Sequence, residues 1–393
     1  MSVLVSILGL AVLILIHEAG HFFVARWVGM RPRKFYLGFG TPIAKTKRNG
    51  VEYGIGSIPL GGYVKIPGMH RPAPGDLRKS LRPADQERLH EHLARLDDAI
   101  DRGDDETARE RLHALEPHVG RSRAYQELDG ALAQDAYWRQ KTWKRVAVIA
   151  AGPLTNVLLA IVLFTGLFMT GTTKATRTVE RVLPNRPAAA AGLQAGDRIL
   201  RVAGEPVEPA EIARHINATH GRPFTIVVDR AGRRVAVGPL RAREDQGAYR
   251  VGFQIRGAAG PGQSLPTAAG SALRVTWEVT DQTVTSIVRL FTGEGTRDIS
   301  SAVGIVDASS NAFKQSLQDF LSVLGLISLA LALLNLLPVL PLDGGHIVMS
   351  LIERLRGRAF SQGVYMRYSA IGFAIFALLL YFGLRNDIAN IGG

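Results

Sequence analysis

No cysteine occurs in the 393 residues. Thiolate metal sites, cysteine nucleophiles and disulfides are therefore excluded together. Aromatic residues make up only 7% of the chain, and the basic residues behind its net charge of +13 lie beside apolar runs and not along one aromatic-rich face. That pattern argues against a nucleic-acid partner. Acidic residues are missing locally as well. The segment 26–48 holds Arg26, Arg31, Arg33, Lys34, Lys45, Lys47 and Arg48 and no Asp or Glu, and Asp343 is the only acidic residue between Asp319 and Glu353.

What is abundant is apolar sequence, in four stretches at 3–28, 146–170, 320–342 and 368–384. Each is near the roughly 20 residues that a helix needs to cross a bilayer. The first lacks a basic leader and a small-x-small cleavage site, and it continues past His21, so it reads as a retained span. Basic clusters follow the first stretch, precede the second (Arg139, Lys141, Lys144, Arg145) and lie between the third and fourth (Arg354, Arg356, Arg358, Arg367). Positive flanks mark the cytoplasmic side, so the expected topology has both termini and segment 171–318 outside. The arginines within 171–318 do not contradict this, because long translocated domains escape the rule.

Between the spans the pattern changes character. Segment 29–70 mixes Gly38-Phe39-Gly40 and Gly61-Gly62-Tyr63 with β-formers, which predicts short strands and turns. Glycine-rich backbone enters a membrane only where protein or a water-filled cavity satisfies it, so this hairpin is a candidate lining for a site. Segment 71–143 is a charged insertion. Leu89, Leu93, Leu96 and Ile100, then Ala108, Leu112 and Leu115, flank Arg102-Gly103-Asp104 and predict a helical hairpin. His90, His92, His113 and His118 there match no ligand spacing and read as solvated helix-face residues. Residues 177–255 alternate strand-like runs with turns around a short helix at 209–218, a compact α+β module. A linker at 260–266 leads to an amphipathic helix at 273–291 carrying Leu273, Val275, Trp277, Ile287, Val288 and Phe291.

Chemistry concentrates in His17-Glu18-Ala19-Gly20-His21, inside the first apolar stretch. Residues four apart share a helix face, so His17 and His21 can aim both imidazoles at one Zn2+, with Glu18 beside them as general base. Titratable groups inside a span are costly unless they pair or face a cavity, which argues against an ornamental role. The third ligand is expected from another span at similar depth, and Asp343 meets that condition. His346 would be a fourth ligand, but a catalytic zinc keeps one position open, so it is left out. Pro338 and Pro341 should unwind the helix just before Asp343 and free backbone groups for an extended substrate. Asn335 and the Gly61, Gly62, Tyr63 edge are candidate substrate clamps. Asn156 reads equally as a further clamp or as an interhelical hydrogen bond.

HExxH in the first span, Gly38-Phe39-Gly40, Gly61-Gly62-Tyr63, Ala151-Gly152-Pro153 with Asn156, and Asn335 through Asp343-Gly344 occur in order over nearly the whole chain. In this the sequence resembles the site-2 protease, or RseP-type, metalloproteases of regulated intramembrane proteolysis. The resemblance implies zinc held by His17, His21 and Asp343, with Glu18 as base. It identifies the outer module as PDZ-like, with 191–197 as its glycine-rich turn, placed to contact the substrate or its trimmed terminus. It also implies single-span membrane substrates, such as anti-sigma factors, cut after a prior site-1 cleavage. This sequence has room for one PDZ-like module where better-known members carry two. The insertion has no obvious counterpart, and 301–305 matches the family's Ser-Gly-Pro pattern only loosely.

The expected fold is a polytopic α-helical membrane protein with four transmembrane helices, a membrane-associated β-hairpin and an extracytoplasmic PDZ-like α+β domain, set in a bacterial inner membrane with its active site toward the cytoplasm. Its segments are 1–28 (first span), 29–70 (β region), 71–143 (insertion), 144–171 (second span), 172–260 (PDZ-like), 261–317 (amphipathic helix and linker), 318–346 (third span with Leu-Asp-Gly) and 366–385 (fourth span). An alternative is a catalytically inactive PDZ-bearing membrane adaptor. That reading predicts a disrupted metal set, yet both histidines, Glu18 and Asp343 are present.

Overall fold

The computed structural model describes residues 2–73, 75–171, 173–245, 248–291, 302–360 and 362–391. In chain order it begins with α1 (Ser2–Trp27), β1 (Lys34–Arg48), β2 (Val51–Lys65), α2 (Pro83–Arg88), α3 (His90–Arg102), α4 (Asp105–Val119), α5 (Arg123–Leu132) and α6 (Thr142–Thr170). Then come β3 (Thr173–Val182), α7 (Pro187–Ala190), β4 (Arg198–Val202), β5 (Glu205–Pro206), α8 (Ile212–Ala218), β6 (Phe224–Arg230), β7 (Arg233–Leu240), β8 (Arg243–Asp245), β9 (Ala248–Arg250) and β10 (Phe253–Ala259). The last helices are α9 (Leu265–Phe291), α10 (Ala302–Gln315), α11 (Leu317–Asn335), α12 (Asp343–Arg356) and α13 (Gln362–Ile391). Two compact units result, one of residues 1–165 and 269–393 and the other of 166–268.

Among the described residues three helices, α1, α6 and α11, are long and apolar enough to cross a membrane. The fourth apolar stretch, 368–384, lies within the 30-residue α13, which is not one of those three. Small residues set the helix packing. A Cβ on Gly20 would sit 2.6 Å from the Ala151 carbonyl oxygen, so α1 and α6 approach backbone to backbone. Leu13 of α1 packs with Phe320 and Leu324 of α11, and a Cβ on Gly325 would meet the Phe164 ring of α6 at 2.8 Å.

The β region is a ribbon folded back on itself. Residues 34–37 lie opposite both 52–55 and 62–65, while 44–48 pair with 51–55. Gly38, Gly40 and Gly61 make the bends at φ of +82°, +88° and +84°, which side-chain-bearing residues adopt only at a cost.

The insertion has its own core. Leu93, Leu96, Leu112 and Leu115 are joined by Tyr125 and Leu128, so α5 adds a helix beyond the expected hairpin. Gly103 closes α3 in the left-handed conformation, and Asp104 caps α4 by accepting the Thr107 N–H. His113 lies 3.2 Å from Asp129, and the rings of His92 and His118 are 6.5 Å apart.

Arg145, read from the sequence as part of the basic cluster before the second span, is buried and ion-paired with the equally buried Glu353 of α12. The other Glu353 oxygen accepts the Phe360 N–H at 2.6 Å. The Arg145 guanidinium covers the Tyr137 ring, whose hydroxyl lies 3.1 Å from Ser350 Oγ. A buried pair of this kind is retained only when its remaining polar atoms find partners, which the surrounding contacts largely provide.

In the second unit the sheet order is β10-β3-β4-β6-β7, with β5 on β4. Alternating Ile199, Ile226, Val228 and Val237 fill its core together with Ile212 and Ile216 of α8. Asp197, buried at the turn before β4, accepts the Gln194 N–H and pairs with Arg230. Burial works against its ionisation, but these donors outweigh it and hold the carboxyl below the usual aspartate range. The expected linker ends early, because Pro266 enters the first turn of α9, where its missing N–H costs nothing. On that helix Leu273 and Trp277 are exposed. The side chains of Ile287, Val288 and Phe291, and Ser301 of the 301–305 run, lie outside the described residues.

Candidate metal centre

Three donor atoms from two distant parts of the chain converge. His17 Nε2 and His21 Nε2 are 3.3 Å apart, and Asp343 Oδ2 lies 3.2 Å from the first and 3.4 Å from the second. Among the described residues this is the only set of three or more such side chains able to share an ion. Its helical basis is plain for the histidines, one turn apart on α1. Asp343 arrives differently. Helix α11 stops at Asn335, 336–342 form an irregular turn, and Asp343 is the first residue of α12, where a helix N-terminus favours a carboxylate.

The turn explains Gly344 and Gly345. A Cβ on either would lie 2.1 Å from the Leu336 oxygen or 2.4 Å from the Leu340 nitrogen respectively. Only glycine at both positions lets the turn fold back over the start of α12. Gly152 plays the same part on α6, where a Cβ would fall 2.3 Å from His21 Nε2 and 2.9 Å from His17 Cε1.

The donor set fits zinc. His21 Nδ1 lies 2.8 Å from the Val148 carbonyl oxygen, to which it donates its N–H. Nε2 is therefore left with its lone pair facing the site. Asp343 Oδ2 is buried there without a hydrogen-bond partner, so with both imidazoles neutral, acceptor atoms face one another in a pocket that a bound cation would make favourable. Their separations match the edge of a tetrahedron with metal–ligand distances of about 2.0–2.1 Å, the zinc value for nitrogen and oxygen ligands.

Asn156, ambiguous in the sequence, touches the site itself. It is fully buried on α6, with its amide Nδ2 3.4 Å from His17 Nδ1 and its Oδ1 without a partner. A half-turn of the amide exchanges those atoms and lets Oδ1 accept the Nδ1–H that a metal-bound His17 must carry. Such support is worth about 10–100-fold in metal affinity. Asn156→Leu should lose zinc to a competing chelator at a concentration lower by that factor, and Asn156→Asp should retain most of the wild-type affinity.

Glu18, half-buried beside His17, contributes no ligand. A Cβ on Gly62 would meet its Cγ at 2.9 Å, so β2 passes directly over it. Tyr63 stacks on Tyr36 at 5.2 Å and lies near Phe39 at 6.2 Å. Gly61 makes the bend before them. Asn335 is half-buried at the end of α11, and Pro338 and Pro341 are exposed in the turn leading to Asp343. His346, one turn beyond Asp343, lies outside the ligand group and stacks on Tyr365 at 5.9 Å.

Apolar helices long enough to cross a membrane, with two histidines and an aspartate joined in their midst, define a membrane metallohydrolase. The match to Peptidase family M50 runs over residues 5–379. The chain belongs to that family, and it is a zinc metalloprotease. Relatives extend along the entire length. A protein from Agrobacterium fabrum, whose name assigns it as a zinc metalloprotease, is 30% identical over 403 residues, covering 98% of this chain and 95% of its own. One of the same description from Rhizobium meliloti is 30% identical over 400 residues (96% and 94%), and one from Campylobacter jejuni is 27% identical over 402 residues (99% and 94%).

Proposed function

We propose that the protein cleaves the transmembrane segments of single-span membrane proteins, such as anti-sigma factors, after a prior site-1 cut. The observation that carries this reading is the position of the ligand pair inside the C-terminal half of an apolar helix, with the glycine-rich ribbon lying over the residue between the ligands. His17, His21 and Asp343 would hold the zinc, which when bound would supply an activated water and polarise the scissile carbonyl. Glu18 is placed to take a proton on its carboxylate and return it to the leaving amine.

A helical peptide bond is shielded, so the substrate must be unwound, and its freed backbone groups each cost several kcal/mol in hydrocarbon unless paired. The 61–63 edge, Asn335 and the turn holding Pro338 and Pro341 supply such partners. Four spans, a cytoplasmic-side active site and an outer PDZ-like module complete the proposal. Supporting the last are the antiparallel sheet with its short α8 and the 191–197 turn, where Gly192 and Gly196 have φ of +82° and +92°. That module would meet the substrate or its trimmed end.

Reconstitution of the enzyme with a single-span substrate and mass analysis of the products tests this. The expected cut lies inside the hydrophobic segment, near its cytoplasmic end. Cleavage confined to the soluble flanks would contradict it.

A further inference from the structure

A cavity of about 770 Å³ opens among the loop after β2, the end of α3, the C-terminal end of α12 and the start of α13. Three guanidinium groups line it, Arg71, Arg356 and Arg358, against one carboxylate, Asp101. None of the arginines has a carboxylate partner among the described residues. Arg71 lies over the Trp138 ring at 5.9 Å and Arg356 over the Phe360 ring at 4.2 Å. Stacking on a ring face leaves the N–H edges of a guanidinium available to an oxyanion.

Positive charge after α12 has an ordinary explanation, since basic residues complement a helix C-terminus and mark a cytoplasmic flank. Two features exceed it. Arg71 comes from a remote part of the chain, and the insertion closes the cavity with Ile100 and Asp101. The rim is also fixed, because the Phe360 N–H is held by Glu353, itself bound to Arg145.

The cavity's other wall is apolar, formed by Phe360, Val364 and Tyr368. Beyond Tyr368, exposed Ile371 and Leu378 continue the same face along α13. A phosphate-binding mouth leading onto an exposed apolar helix face suits an amphiphile, not a free anion or a polynucleotide. We propose that this cavity binds the phosphate of an anionic phospholipid, with the acyl chains along α13, so that the insertion contributes to lipid recognition. The location at a membrane boundary rests on the four-span reading given above.

The full chain, purified in detergent, should retain dioleoyl phosphatidylglycerol over dioleoyl phosphatidylcholine in native mass spectrometry. Arg71→Gln and Arg358→Gln should each weaken that retention about fivefold, as expected for one basic residue at an anionic surface. Asp101→Asn should strengthen it, a gain that misfolding does not produce. Lys79→Gln and Lys141→Gln, exposed cations outside the cavity, should change nothing. Equal retention of the two lipids, or indifference to the Arg71, Arg358 and Asp101 changes, would overturn the proposal. So would displacement of the lipid by millimolar inorganic phosphate, which would mark a free-phosphate site.

Topology is read separately by Gly363→Cys in this cysteine-free chain. Labelling of that position from the outer side by an impermeant reagent would refute the four-span reading whatever the lipid result.

Discussion

Glu18→Gln should lower peptide cleavage by about 10²–10⁴-fold, the usual worth of a general acid–base group, while zinc content stays at the wild-type level. The two readouts separate because Glu18 is not one of the three converging donors. The amide is close in size to the carboxylate, so the contact with Gly62 survives and the ribbon keeps its place. What the variant loses is an acceptor for the water proton. Single-turnover cleavage of a reconstituted substrate, with metal analysis on the same sample, measures both. Undiminished cleavage would remove Glu18 from the chemistry, and loss of zinc would make it a ligand.

Gly152→Ala should empty the centre outright. Its added methyl would fall 2.3 Å from His21 Nε2, well inside any carbon–nitrogen contact, and 2.6 Å from Cε1 of the same ring. The ring cannot retreat without breaking the Nδ1–H bond to Val148 O that fixes which nitrogen faces the metal. Zinc retention should fall at least a hundredfold, since both the ligand position and its outer support are disturbed. Gly166→Ala is the matched control, on the same helix with nothing within 4 Å of the new methyl. There the exchange should leave zinc unchanged and slightly favour the helix. Equal zinc content in the two variants would show that α6 does not pack on the histidines as described.

The parts of this site that were legible in the sequence are those set by local geometry or by scarcity. His17 and His21 needed only the helical repeat, and Asp343 stood out as the lone acid in a long apolar region. The ribbon's bends were visible as glycines among β-formers. What the sequence hid depends on contacts between distant segments. Nothing around Asn156 distinguishes a histidine support from an interhelical bond until α6 is laid against α1. Arg145 reads as one more basic flank until Glu353, 208 residues later, is found beside it. The break that makes Asp343 the start of α12 was half visible in the two prolines, but the fold of the turn over Gly344 and Gly345 was not. A small-residue run in a span otherwise rich in bulky side chains, Ala151-Gly152-Pro153, was the one available signal that a partner helix comes close there.

Zinc-edge X-ray absorption on the detergent-purified full chain tests the centre most directly. One zinc per chain is expected, with two imidazole nitrogens and carboxylate and solvent oxygens at about 2.0–2.1 Å. A shell showing fewer than two imidazoles, or a protein that binds no zinc when the metal is supplied, would contradict the account.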